Sequence, residues 1–117
     1  MNRAELLQKS CQHLEQAASP EQLVVALSLL TGWSLEQGQL VRRYDFRDYH
    51  ETIAFVNAIA TIIHQQDHHP DLFVGYNHCT VRYSTHSVNK GKGGISENDF
   101  ICAAKIDDVF DHHFSHS

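Results

Sequence analysis

Three capping boxes divide this chain and mark where its helices begin. In a capping box, the side chain of the first residue accepts a hydrogen bond from the backbone N–H three residues on, and the side chain there accepts one from the backbone N–H of the first residue. The three pairs are Ser19–Gln22, Asp48–Glu51 and Ser96–Asp99. They predict helices that span residues 19 to 32, with Gly32 as the stop signal, 48 to 66, and 96 to about 110.

Alternating apolar residues between these helices predict strands. A short strand at Trp33–Leu35 is followed by a turn at Gln37–Gly38 and a strand at Leu40–Phe46. Residues 74–86 read as a further strand, preceded by an irregular turn around Gly75, with an additional short strand at Leu72–Val74 as an option. The order α-β-β-α-β-α contains no repeated β-α-β unit. It therefore predicts an α+β fold in which helices cover one face of an antiparallel sheet.

The two ends of the chain look different from its middle. Residues 1–18 are compatible with a helix but lack a clear apolar stripe, so we expect an N-terminal extension that is partly ordered at best. Residues 19–111 form the predicted domain, and residues 112–117 a polar, histidine-rich tail. The helix over 48–66 carries two adjacent apolar stripes, which suit either a well-buried core helix or a helix that also packs in a subunit interface.

Composition excludes several classes of protein. A chain of 117 residues suits one domain, and its formal net charge of −5 argues against nucleic-acid binding. The longest apolar run, Leu23–Leu30, is far too short for a membrane span, and no secretory signal is expected. Three scattered cysteines do not form a disulfide framework, so a reducing, cytoplasmic setting is expected.

The stretch from His64 to His86 carries the clearest chemical signal. His68 and His69 precede Pro70, which ends the helix and forces an extended backbone at His69, and His86 lies at the end of the predicted strand. Three interpretations remain open from the residues alone. The histidines are structural, or His64 and His68 bind a metal at a spacing of four, or the imidazoles transfer protons without a metal.

The pattern His64-x3-His68-His69-Pro70-x5-Tyr76-x9-His86-x12-Asp99 resembles the signature of the pterin-4a-carbinolamine dehydratases. These proteins are also called 4a-hydroxytetrahydrobiopterin dehydratases. The resemblance covers about residues 20–110, since Gly32-Trp33, Ser84-Thr85-His86 and Ala103–Asp107 occur in matching order. It implies a four-stranded antiparallel sheet with helices on one face.

The resemblance also implies an activity and a set of site residues. The family removes water from the 4a-carbinolamine of a tetrahydropterin, the product of aromatic amino acid hydroxylases, to give the quinonoid dihydropterin, and it uses no metal or organic cofactor. His68, His69 and His86 match the catalytic histidines. Substrate contacts are expected from Asp67, Ser84, Thr85, Asp99 and Trp33. The expected assembly is a homodimer or homotetramer without nucleic acid or membrane partners.

Two departures from the family pattern are visible. His64 occupies a position that is often acidic, and the segment from Ser87 to Gly94 carries about four extra residues by comparison with the short turn that is usual there. Asp99 also has a purely structural explanation as the third residue of a capping box. A non-catalytic assembly or transcription partner on the same fold is the alternative function.

Overall fold

The chain folds in the order α-α-β-β-α-β-β-α. The computed structural model describes residues 1–115. Its elements are α1 (Arg3–Gln8), α2 (Pro20–Leu29), β1 (Ser34–Glu36), β2 (Gln39–Asp45), α3 (Tyr49–Gln66), β3 (Asp71–Val74), β4 (His78–Tyr83) and α4 (Glu97–His113). The predicted order thus lacked one helix and counted β3 only as an option.

The strands form one antiparallel sheet in the order β1-β2-β4-β3, which confirms the predicted α+β class. Side chains alternate across a strand, so one face of the two central strands faces the core. The pairs Leu40–Tyr83 and Tyr44–Cys79 lie on that face, and all four side chains are buried. They belong to the same core cluster as Phe55 of α3 and several residues of α4.

The capping boxes begin the helices where the sequence predicted. Ser19 and Ser96 each accept a hydrogen bond from the N–H three residues on and donate their own backbone N–H to the side chain of that residue, while Asp48 accepts from the N–H of Glu51. The ends are less predictable. Helix α4 continues to His113, beyond the expected end near residue 110, and α3 ends at Asp67 in the left-handed conformation, with φ of 47°.

The strand predicted over residues 74–86 is wrong in extent. It is a hairpin in which β3 and β4 pair, and the chain turns between Val74 and His78. The Gly75 N–H donates to the carbonyl of His78 at 2.8 Å. A Cβ at Gly75 would lie 2.3 Å from the imidazole of His78, so a side chain there would require that ring to move. The irregular turn expected around Gly75 is thus present, and the strand that follows it spans only His78–Tyr83.

The N-terminal extension is better ordered than predicted. Helix α1 begins at an Asn2 cap and buries Leu6 completely in the core cluster. The Lys105 ammonium donates to the carbonyl of Leu7 at 2.7 Å and ties α1 to α4. Leu6 and this hydrogen bond hold the helix against the domain, together with ion pairs of Arg3 with Asp111 and Lys9 with Glu97, although no apolar stripe is visible in the sequence. Of the predicted polar tail, residues 112 and 113 belong to α4, and residues 116–117 lie outside the described part.

Candidate active site

His68 and Asp99 form the centre of the candidate site. His68 follows the left-handed Asp67 at the end of α3, and Asp99 is in the first turn of α4. Nε2 of His68 lies 2.6 Å from Oδ1 of Asp99. The imidazole side chain is 12% exposed and the carboxylate is fully buried. The pair therefore places one imidazole at the surface with a shielded carboxylate behind it.

Hydrogen bonds around Asp99 determine which atom of this pair carries the proton. Its Oδ2 accepts from the N–H of Ser96 at 2.8 Å and from the hydroxyl of Thr85 at 2.9 Å. The hydroxyl of Ser96 donates in turn to Thr85, at 2.6 Å, and accepts from the N–H of Asn98. A carboxylate can only accept hydrogen bonds, so with Asp99 as a carboxylate Nε2 of His68 is the donor. Nδ1 is then the ring nitrogen that is left for a substrate.

Tyr83 fixes the orientation of the His68 ring. The two rings stack at 5.0 Å between centroids, with an angle of 22° between their planes. The Tyr83 hydroxyl also donates to the backbone carbonyl of His68 at 3.0 Å. Burial raises the pKa of Tyr83 above its ordinary value, so the phenol remains neutral. A rigid strand residue thereby supports both the ring and the backbone of His68.

An open pocket of about 470 Å³ lies against this imidazole. Small-molecule sites typically have volumes of about 300–1,000 Å³. The pocket is lined by Cys11, Gln12, His13, Gln66, Asp67, His68, Thr85, His86, Ser87 and Asn98. It therefore lies between the N-terminal segment, the end of α3, the residues after β4 and the start of α4.

The structure brings four of the eight predicted site residues to the pocket wall: Asp67, His68, Thr85 and His86. Asp99 lies directly behind His68 and Thr85. His69 is exposed and is not part of the wall, although it is the next residue to His68. Ser84, which is half-buried, also lies outside the wall. The expected convergence of three imidazoles is thus limited to two in this structure.

The structure places Trp33 in the core instead of at the pocket. Its side chain is 5% exposed, and its indole N–H lies 3.0 Å from both carboxylate oxygens of Asp107. The same carboxylate accepts from the Arg42 guanidinium at 2.7 Å and from the Tyr44 hydroxyl at 2.5 Å. Burial raises the pKa of Asp107, and these donors act against the increase. Trp33 therefore supports the fold by satisfying a buried charge.

The N-terminal segment is the part of the site that sequence reasoning missed. The side-chain amide of Asn98 makes two hydrogen bonds to the backbone of Gln12. Its oxygen accepts from the Gln12 N–H at 3.2 Å, and its nitrogen donates to the Gln12 carbonyl at 2.6 Å. The Cys11 N–H donates to the side chain of Gln66 at 2.8 Å. The hydroxyl of Ser87 donates to the carbonyl of Leu14. These contacts are polar and long-range, and hydrophobic periodicity gives no signal for them.

The longer loop after His86 lies beside the pocket and is anchored. Thr85 and Gly94 bond to each other through their backbones, at 2.7 and 3.1 Å, and Val88 is fully buried. Asn89 and Lys90 adopt positive φ of 55° and 57°. Ser87 is the loop residue on the pocket wall. The loop is therefore held against the domain and forms one edge of the pocket.

Within residues 1–115, no group of three or more His, Cys, Asp or Glu side chains is arranged to hold a metal ion. His64 is exposed. The Nε2 of His68, its partner in the metal interpretation, is bonded to Asp99. Over the same residues, no helix has the length and apolar character needed to cross a membrane.

Comparison with known proteins gives a consistent result. A sequence model of the family described as pterin 4 alpha carbinolamine dehydratase matches residues 16–109. A protein of Bdellovibrio bacteriovorus, provisionally named a pterin-4-alpha-carbinolamine dehydratase, is 53% identical over 115 residues, which cover 98% of this chain and 96% of the relative. A protein of Nitrosomonas eutropha with the same provisional name is 46% identical over 110 residues, 91% of this chain and 94% of the relative.

A solved structure also matches. It is described as a transcriptional coactivator/pterin dehydratase from Brucella melitensis and is 28% identical. The structural alignment covers 80% of this chain and 98% of the Brucella melitensis chain, with a TM-score of 0.72.

The fold and the pocket define an α+β protein with a carboxylate-supported imidazole beside a cavity of small-molecule size. The family model matches residues 16–109, and the identity to the Bdellovibrio bacteriovorus protein extends over almost the whole chain. Together these matches specify one family among proteins of this kind. This chain belongs to the pterin 4 alpha carbinolamine dehydratase family.

Proposed function

We propose that this protein dehydrates 4a-hydroxytetrahydropterin, the pterin-4a-carbinolamine, to quinonoid dihydropterin and water. In this reaction the C4a–O bond breaks, the hydroxyl leaves as water after it receives a proton, and the proton on N5 is removed. The chemistry therefore needs a proton donor at one position of a flat ring and a proton acceptor at another. The pocket is large enough for such a bicyclic substrate.

His68 is the central proton-transfer residue of this proposal. Because Asp99 and the Tyr83 stack hold its ring, Nδ1 has a fixed direction. The buried carboxylate compensates the positive charge that the imidazole carries while it holds a second proton. The other oxygen of Asp99 accepts from the Ser96 N–H and the Thr85 hydroxyl, which holds Oδ1 in place against His68.

His86 is proposed as the second proton-transfer residue, because it is the other predicted imidazole on the pocket wall. His69 is proposed as the third proton-transfer residue. It is exposed and directly follows His68, so a substrate that extends beyond the pocket would meet its ring. Asp67 and Thr85 are proposed to contact the substrate from the wall, and Asp99 acts through His68. Ser84 and Trp33 have no contact that would give them such a role.

No metal or organic cofactor is part of this proposal, since both proton transfers can be performed by side chains of the pocket. A functional link to an aromatic amino acid hydroxylase follows from the substrate, which is that enzyme's product. We also propose a homodimer or homotetramer as the working assembly. The exposed side chains of Phe73 and Val74 on an edge strand suit such contacts.

The His68–Asp99 contact beside an open pocket is the observation that carries the enzymatic assignment. The direct test is a stopped-flow assay with synthetic 4a-hydroxytetrahydropterin, in which quinonoid dihydropterin is followed by absorbance. We expect turnover well above the spontaneous rate and proportional to protein concentration. A rate equal to the spontaneous one would favour the alternative, a non-catalytic partner protein like the coactivator role in the description of the Brucella melitensis protein.

A further inference from the structure

Two of the three cysteines are in contact at the edge of the pocket. Sγ of Cys11 lies 3.5 Å from Sγ of Cys102. Cys11 belongs to the irregular segment between α1 and α2, is partly exposed and lines the pocket. Cys102 is fully buried in α4. One sulfur is therefore reachable from solvent, and the other lies directly behind it.

The surroundings of Cys11 favour its thiolate, which is the reactive form of cysteine. The hydrogen bond from the Cys102 thiol lowers the pKa of Cys11. Nearby His68 and Lys105 add to this effect, whereas burial and the charge of Asp99 oppose it. The remaining cysteine, Cys79, differs in each respect. It is fully buried in β4, and burial raises its pKa to about 11.

We propose that Cys11 and Cys102 form an oxidation site, at which a peroxide converts the two thiols into a disulfide that fixes the N-terminal wall of the pocket. The Cys11 thiolate attacks one peroxide oxygen, the O–O bond breaks, and Cys11 becomes a sulfenic acid, while the other oxygen leaves as hydroxide and takes up the proton released by the Cys11 thiol to form water. The sulfur of Cys102 then attacks Cys11, the S–O bond breaks, and hydroxide leaves with the Cys102 proton as water. Two thiols lose two electrons in total, and hydrogen peroxide is reduced to two molecules of water.

The geometry allows this reaction with a small movement. The sulfur atoms must approach by about 1.5 Å to reach the disulfide length of about 2.05 Å. Cys11 can supply the movement, because its segment has no regular secondary structure. The bond would join positions 91 residues apart and hold Gln12 and His13, the neighbouring wall residues, against α4. The inference stands on this thiol contact and does not depend on the proposed activity.

Peroxide treatment of the full chain tests the proposal. Purified, reduced protein is treated with hydrogen peroxide, the remaining thiols are alkylated, and the product is analysed by intact mass and peptide mapping. We expect a loss of about 2 Da and a Cys11–Cys102 peptide pair. Cys79→Ser is the matched control and should give the same product, whereas Cys11→Ser should not. Sulfinic or sulfonic acid at Cys11 without the disulfide, a cross-linked dimer, or no change would each overturn the proposal.

A second measurement, made on the wild-type protein alone, tests whether the disulfide fixes the N-terminal wall of the pocket. The oxidised wild-type protein should show slower amide hydrogen exchange over residues 9–15 than the reduced protein. Its melting temperature should rise by about 5 °C or more, because the bond closes a long loop. Dithiothreitol should reverse both effects. Unchanged exchange in this segment after complete disulfide formation would contradict the claim that the disulfide fixes the wall.

Discussion

Nε2 of His68 and Oδ1 of Asp99 lie 2.6 Å apart, although 31 residues separate them in the chain. The contact joins the residue that follows the end of α3 to the first turn of α4. Asp99 has two tasks at this position, because its other oxygen accepts from the Ser96 N–H and completes the capping box of α4. Asp99 therefore caps α4 with one oxygen and contacts His68 with the other, so its structural role and a role at the site are compatible.

Asp99→Asn should separate these two tasks. Asparagine keeps the shape of the side chain and remains a good acceptor for the cap. With its oxygen facing Ser96 and Thr85, its amide would direct N–H groups at Nε2 of His68, which must then become an acceptor. The proton moves to Nδ1, and the charge compensation is lost. We expect kcat to fall by about 100-fold, with a smaller change in KM.

The assay for Asp99→Asn is steady-state dehydration together with circular dichroism to check the fold. The matched control is Asp108→Asn, which changes a partly exposed carboxylate elsewhere on α4. Equal kcat in wild type and Asp99→Asn would mean that the carboxylate only caps the helix.

Of the other two predicted histidines, His86 lies on the pocket wall and His69 lies outside it, so we expect different effects from their replacement. His86→Ala should lower kcat by about 10-fold or more, since it removes an imidazole from the wall. His69→Ala should have a smaller effect, which appears mainly in KM, because its ring lies outside the wall. The same stopped-flow assay measures both. A larger loss of kcat in His69→Ala than in His86→Ala would show that His69 enters the pocket when substrate binds.

Asp107 should be one of the most important polar residues for stability. Asp107→Ala would leave the guanidinium of Arg42, the indole N–H of Trp33 and the hydroxyl of Tyr44 without their acceptor. We expect the free energy of unfolding to fall by about 3 kcal/mol or more in urea denaturation. The control Asp45→Ala breaks only an exposed pair with Arg43 and should cost less than about 1 kcal/mol.

Asp107 should also contribute to the pH dependence of stability. Burial raises the pKa of this carboxyl above its value in the unfolded chain. The folded state therefore holds the proton more tightly, and this contribution is fully present below the unfolded pKa and is lost as pH rises through the folded pKa. The stability of wild type relative to Asp107→Asn should decrease as pH rises from about 4 towards neutrality. Urea unfolding of both proteins across this range measures the difference, and an increase with pH would contradict the direction of the shift.

Local signals in the sequence predicted much of the fold. Capping residues such as Ser19, Asp48 and Ser96 act through neighbours three residues away, so the beginnings of the helices were readable. The irregular turn at Gly75 was predicted, but the strand before it was counted only as an option, because four residues carry little alternation of their own. The buried position of Leu6 was missed for a similar reason, since one leucine does not make a stripe.

The candidate site was predictable only in part. The family spacing indicated His68, His86 and Asp99, which the fold does place together or at one pocket. It also indicated Trp33, but an indole N–H serves equally well as a donor to a buried carboxylate, and Asp107 provides one. The wall around Gln12 rests on contacts with Asn98 across 86 residues, and no local pattern encodes such a contact.

The most direct test of the account is the dehydration rate of His68→Ala with synthetic 4a-hydroxytetrahydropterin. The control is His112→Ala, which removes an exposed imidazole from the far end of α4. We predict that kcat falls by about 100-fold or more in His68→Ala while circular dichroism is unchanged, and that His112→Ala behaves as wild type. A folded His68→Ala protein that turns over substrate at the wild-type rate would contradict the account.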